Sequence, residues 1–170
     1  MAIFRDNLDD RGLDWSLMQN GAINLYLRPE FLREDAEWLR SRGYMLDSFD
    51  CTTWLSDESM HDALSTTLEF PHYYGRNLDA LNDCLSDLEI PEDSGRVLVF
   101  HRYDAFAARF PKIAWKVVNI IEHQSRLMLL VGLRLFALVQ SDDPMISFES
   151  LGAQSANWNG REWLMKDRGL

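Results

Sequence analysis

Three aspartates, Asp79, Asp83 and Asp87, recur at intervals of four in the stretch FPHYYGRNLDALNDCLSDLE, residues 70–89. Carboxylates so spaced share one side of a helix, where they can hold a metal ion, move a proton, or present a row of negative charge to a cationic partner. Like charges at this spacing oppose each other by roughly 0.2–0.5 kcal/mol per pair. Only Asp79, in the first turn, is compensated by the helix dipole, so the row has a small cost without a folding gain. His72 and Tyr73 just ahead could complete an acid/base or metal site with Asp79 and Asp83. The chain has, however, no HExxH, no Gly-rich phosphate loop, no Asp-x-Asp-x-Asp-Gly loop and no activated nucleophile pair, and no cofactor or metal is expected. Turning 100° per residue from Asn77, which caps the helix, puts Leu78, Leu81, Leu85 and Leu88 on one side, with Cys84 at its margin, and the aspartates opposite. The residues by themselves describe an acidic helix, docked by leucines and edged by Tyr73 and Tyr74, that suits a basic, concave partner.

The charge of the chain is distributed to match. Of 27 acidic residues, eleven lie between Asp50 and Asp93, together with a single basic residue, Arg76. The remaining residues are balanced, so the net charge of −10 is a property of this segment. Such a face repels nucleic acid and attracts basic partners; a merely solubilising surface is the bland alternative. Cys51 and Cys84 form no CxxC pair and sit among apolar neighbours, as buried thiols do in a reducing compartment. The opening MAIFRDNLDDRGLD is charged where a signal peptide is apolar, and LMLLVGL at 127–133 is too short to span a bilayer. A cytoplasmic location without membrane contact is expected.

The elements that must hold the acidic helix read as alternating strands and helices. Asn20-Gly21 between apolar-rich segments predicts a type I′ hairpin within 14–27. PEFLREDAEWLRSRG from Pro29 predicts an amphipathic helix stopped by Gly43, and a strand follows near 44–50. Ser56 caps a helix whose buried stripe is Met60, Ala63, Leu64, Thr67 and Leu68 and which ends before Pro71. RVLVFHRY and LRLFALVQ are near-continuous apolar runs suited to buried strands, separated by a short helical turn at 104–110 and a long helix from Pro111 that can end at Gly132. The pattern predicts a mostly parallel α/β sheet with helices on its faces. The last thirty residues are too rich in Trp, Phe and Leu for a disordered tail, and Trp158 and Trp163 flank a turn at Asn159-Gly160. His61, His101 and His123 are dispersed and read as surface or core histidines.

PHYYGRNLDALNDCL, from Pro71 to Leu85, resembles the signature of the barstar family of intracellular inhibitors of the secreted ribonuclease barnase. The fixed elements Pro-x-Tyr-Tyr-Gly-x-Asn-Leu-Asp-Ala-Leu-x-Asp-Cys-Leu are all present, and looser similarity extends over about 44–140. The resemblance implies an α/β fold with a parallel three-stranded core sheet and packed helices over 44–141. This core is enlarged by an N-terminal β-hairpin and helix at 1–43 and by a C-terminal extension at 142–170, all in one domain. It also implies inhibition by occlusion, with the loop and helix plugging a basic ribonuclease active site and carboxylates standing where RNA phosphates would. Tyr73, Asp79 and Asp83 match the family's contact residues, Asp83 the one that enters the phosphate pocket. The implied partner-binding set is Tyr73, Tyr74, Gly75, Asp79, Asn82, Asp83, Asp87 and Glu122, with His123 the alternative to Glu122. Asn82, Asp87 and Leu88 depart from the tryptophan, glycine and tryptophan of the type protein, so the rim of the target should differ. A barstar-like module for another basic toxin or a regulator is the competing reading, and a carboxylate-based enzyme is the third.

Overall fold

The computed structural model describes residues 12–163; the charged opening segment and the residues beyond Trp163 lie outside them. Five parallel strands form one sheet in the order β2-β3-β4-β1-β5, with β1 at Ile23–Tyr26, β2 at Met45–Asp50, β3 at Arg96–His101, β4 at Leu135–Gln140 and β5 at Asn157–Trp158. The expected core of three strands, β2-β3-β4, is present, and the sheet has two more. β1 lies beside β4 and β5 beside β1. The central β3 and β4 are covered on both faces, which is why their sequences are continuously apolar.

Alternate residues of each strand enter different cores. Leu98 and Phe100 of β3, Leu135, Ala137 and Val139 of β4, and Ile23 and Leu25 of β1 face one layer. That layer holds α3 (Asp57–Thr67), α4 (Leu78–Ser86), α5 (Tyr103–Arg109) and α6 (Pro111–Leu130). Val97, Val99, Phe136, Leu138 and Tyr26 face the other, formed by α1 (Leu13–Met18) and α2 (Pro29–Ser41). The C-terminal extension enters the first layer through buried Ile146 and Leu151.

The N-terminal hairpin is overturned. Leu13–Met18 is a helix, and Ile23–Tyr26 pairs with β4 instead of folding back. A type I′ turn needs positive φ at both central residues, and here only Gly21 has it, at 122°. Leu17 and Met18 gain more by burial against α2 and the sheet than by pairing with β1, whose two edges are already taken by β4 and β5.

Candidate functional site

α4 is positioned from its first turn. Asn77 accepts from the Ala80 amide at 2.8 Å, the N-cap bond that satisfies an otherwise orphan donor. Leu81 and Leu85 are buried in the first core layer, with Leu88 just past the helix end. Asp79 and Asp83 are exposed on the other side, and Asp87 is the exposed residue that ends the helix. None of the three makes an ion pair among the described residues. Arg76, the single cation of the acidic segment, is held elsewhere, 2.7 Å from Asp62 and 3.5 Å from Glu58 on α3. Among the described residues the row therefore remains unneutralised.

The two tyrosines have separate surroundings. Tyr73 is 76% exposed, its ring edge-on to His72. Tyr74 turns inward, with its hydroxyl 2.5 Å from His61 Nδ1 and its ring against Phe70. Burial raises the Tyr74 phenol well above the ordinary tyrosine range and lowers His61 below that of free imidazole. This pair, with the Arg76 ties, fastens the 71–77 loop to α3. Gly75 is not the residue that takes the left-handed conformation here. The left-handed residue of this turn is Arg76, at φ 48°, and a Cβ on Gly75 would sit 3.0 Å from Asn77 Nδ2. Smallness, which lets the cap side chain bond back to the Gly75 carbonyl at 3.2 Å, is what this position requires.

Asn82 is half-buried, and both its side-chain oxygen and its carbonyl accept from Gln124 Nε2, at 2.8 and 3.2 Å, which locks α4 to α6. Glu122 does not join the surface. It is 1% exposed and accepts from the Ala22 amide at 2.6 Å, serving the backbone just before β1. His123, the alternative, is exposed on α6. Burial pushes the Glu122 carboxyl above the usual range, against the opposing pull of the Ala22 amide and Arg126. The folded chain then keeps this proton where the unfolded chain has lost it, so stability falls as pH rises from the unfolded value, about 4.3, through the folded one. Glu122→Gln is expected to remove that part of the fall in urea midpoint as pH rises above about 4. A slope unchanged from the parent would contradict the buried role.

Sequence reasoning missed the second wall of this site. A groove of about 410 Å³ runs between α4 and α6, with Asp79 and Asp83 on one side and Trp115, Lys116 and Asn119 on the other. The signal was available in α6, where 112, 116 and 119 repeat at helical spacing as polar residues beside a tryptophan. Of the residues that suggested an acid/base site, His72 has its ring edge-on to Tyr73 and makes no hydrogen bond to Asp79 or Asp83 among the described residues. Nor, among the described residues, do three His, Cys, Asp or Glu side chains converge for a metal ion. No helix among the described residues is long and apolar enough to cross a membrane. What the site offers is anionic surface on a rigid support, flanked by one exposed aromatic ring.

Comparison with known proteins agrees with the signature. Residues 44–137 match the family model described as Barstar (barnase inhibitor). A protein of Bacillus subtilis (strain 168) named "Putative ribonuclease inhibitor YrdF" is 66% identical over 29 residues, 17% of this chain and 32% of that protein. The match thus spans about a third of the relative's length. Among solved structures, a chain in "Structure of Drosophila ORC bound to AT-rich DNA and Cdc6" superposes with a TM-score of 0.49 at 14% identity, over 79% of this chain and 45% of that one. A likeness this remote carries no argument about function.

Proposed function

The chain belongs to the barstar family, and from that premise we propose that it inhibits a basic ribonuclease by filling the enzyme's active site with α4 and the 71–77 loop. The observation that carries this reading is the pair Asp79 and Asp83, exposed and without an ion pair among the described residues, on a helix whose opposite side is fixed in the core. A carboxylate on a rigid helix can stand where an RNA phosphate stands, meeting the arginine, lysine or histidine groups that bind it. Because the carboxylates are pre-placed, little ordering entropy is lost on docking. Tyr73 supplies a flat apolar ring with a polar tip at the edge of the contact. Gly75, Asn82 and Asp87 belong to its rim, and Tyr74 braces the loop from beneath. Inhibition of this kind needs no cofactor, no catalysis and no direct contact with nucleic acid, and it places the protein in the cytoplasm of a cell that makes a secreted toxin.

Mixing the purified protein with a panel of basic microbial ribonucleases, barnase among them, tests the proposal. RNA cleavage by at least one is expected to be lost linearly up to an equimolar ratio. No loss with any enzyme, combined with capture of a basic protein that is not a nuclease and that Asp83→Lys no longer captures, would replace the ribonuclease with another toxin or a regulator.

A further inference from the structure

The groove beside the acidic row continues past α6. Trp115 and Lys116, which form its far wall, also line a second depression of about 670 Å³ between α5, α6 and residues 143–149. Its lining is largely apolar, with Ala107, Pro111, Trp115 and Phe148 around Met145, which is 74% exposed. The segment that closes it is well fastened. The Met145 amide donates to Asp143 Oδ1 at 2.8 Å, the Asp143 amide to Ser141 Oγ at 3.0 Å, and the Trp115 indole to the Glu149 carbonyl at 3.3 Å. Ile146 is buried, and the Phe148 ring lies 6.0 Å from that of Tyr103. An apolar depression with an exposed thioether in its lining is the kind of surface that marks an interaction site. Residues 143–149 fall outside the family match at 44–137, so this part of the surface is an addition carried by the C-terminal extension.

We propose that this depression is a second part of the target contact, receiving an apolar side chain from a loop of the same basic enzyme whose active site α4 fills. The inference rests on the inhibitory reading of α4. Two observations select this occupant. The depression shares Trp115 and Lys116 with the groove of Asp79 and Asp83, so one partner reaches both. Its charged rim has three acids, Asp104, Asp143 and Glu149, against Lys112 and Lys116, which accommodates a cationic protein. A second copy of this chain carries the same net charge of −10, which opposes its approach as a whole.

The test uses the full chain and the ribonucleases of the same panel, with association and dissociation rates measured at low and high salt for the parent, Met145→Ser and Asp83→Ala. Met145→Ser is expected to speed dissociation about tenfold, with association, its salt dependence and the thermal midpoint unchanged, because an exposed apolar contact acts after encounter. Parent-like dissociation of Met145→Ser beside a weakened Asp83→Ala would overturn the second contact and leave the α4 reading standing. A parent chain that binds none of the enzymes would overturn both. A parent dimer in sedimentation that Met145→Ser converts to monomer, with inhibition unchanged, would assign the depression to self-association and overturn the proposal.

Discussion

Asp83→Ala is expected to weaken target binding by about 2–4 kcal/mol, roughly 30- to 700-fold, while changing folding stability by no more than about 0.5 kcal/mol. The asymmetry follows from what the carboxylate touches in each state. In the free chain Asp83 is exposed and has no ion pair among the described residues, and the bond from Ser86 Oγ to the Asp83 carbonyl at 2.6 Å belongs to the backbone and survives the substitution. Removing it even relieves like-charge repulsion from Asp79 and Asp87, four residues to either side. In the complex the same group would be desolvated against cationic side chains, and its loss leaves their charges buried without a partner. Stopped-flow association and urea unfolding of the same preparation separate the two effects. Raising salt should slow association by the parent more than it speeds dissociation, a behaviour for which barnase with barstar is itself the reference case, so that direction is borrowed from the family. Full affinity in the alanine variant would remove Asp83 from the contact and take the phosphate-mimic argument with it.

Asp35→Ala should be the most damaging substitution for the fold itself, costing about 3–5 kcal/mol of an expected total of about 5–15. Asp35, on α2, is buried and accepts from Tyr26 Oη at 2.7 Å and from Asn159 Nδ2 at 2.9 Å, and it pairs with Arg161 at 2.5 Å. One carboxylate thus joins β1, α2 and the C-terminal extension, and alanine would leave the Tyr26 hydroxyl and the Asn159 amide without their acceptor, while Arg161 keeps Glu34 and the Phe31 carbonyl. Arg161 is 37% exposed, so water screens its share, and the larger part of the loss comes from Tyr26 and Asn159. Tyr26→Phe, which removes one donor instead of the acceptor, is expected to cost only about 1 kcal/mol. Urea unfolding of both variants checks the ranking, and a loss below that of Tyr26→Phe would refute it. α4 lies on the opposite face of the sheet. Inhibition by Asp35→Ala should therefore match the parent wherever the variant is folded.

What the sequence disclosed followed the range of the interaction involved. The division of α4 into leucine and aspartate sides needs only 100° per residue, and the caps at Ser56 and Asn77 need only three residues of context, so both were legible. The buried runs at 96–101 and 135–140 were likewise visible as strands. Leu13–Met18 was misread because the Asn-Gly signal is local, whereas the competing burial against α2 is tertiary. β5 has two residues and leaves no pattern to find. Glu122 looked like surface charge since its partner, the Ala22 amide, is 100 residues away. Tyr73 and Tyr74 are the same letter twice, and only His61 beneath one of them makes the difference.

The position of β1 between β4 and β5 bears on how the molecule comes off the ribosome. Its first hydrogen-bonding partner is synthesised more than a hundred residues later, as the register of Ile23 with Ala137 requires, and its second comes later still. Until then Leu25 and Tyr26 have no sheet to join, and the nascent segment must stay unpaired or be sheltered. A chain whose translation stops after β4 would keep the β1 edge open, with bare amides and carbonyls ready to zip onto a neighbour. The short terminal strand thus acts as a latch, closed last.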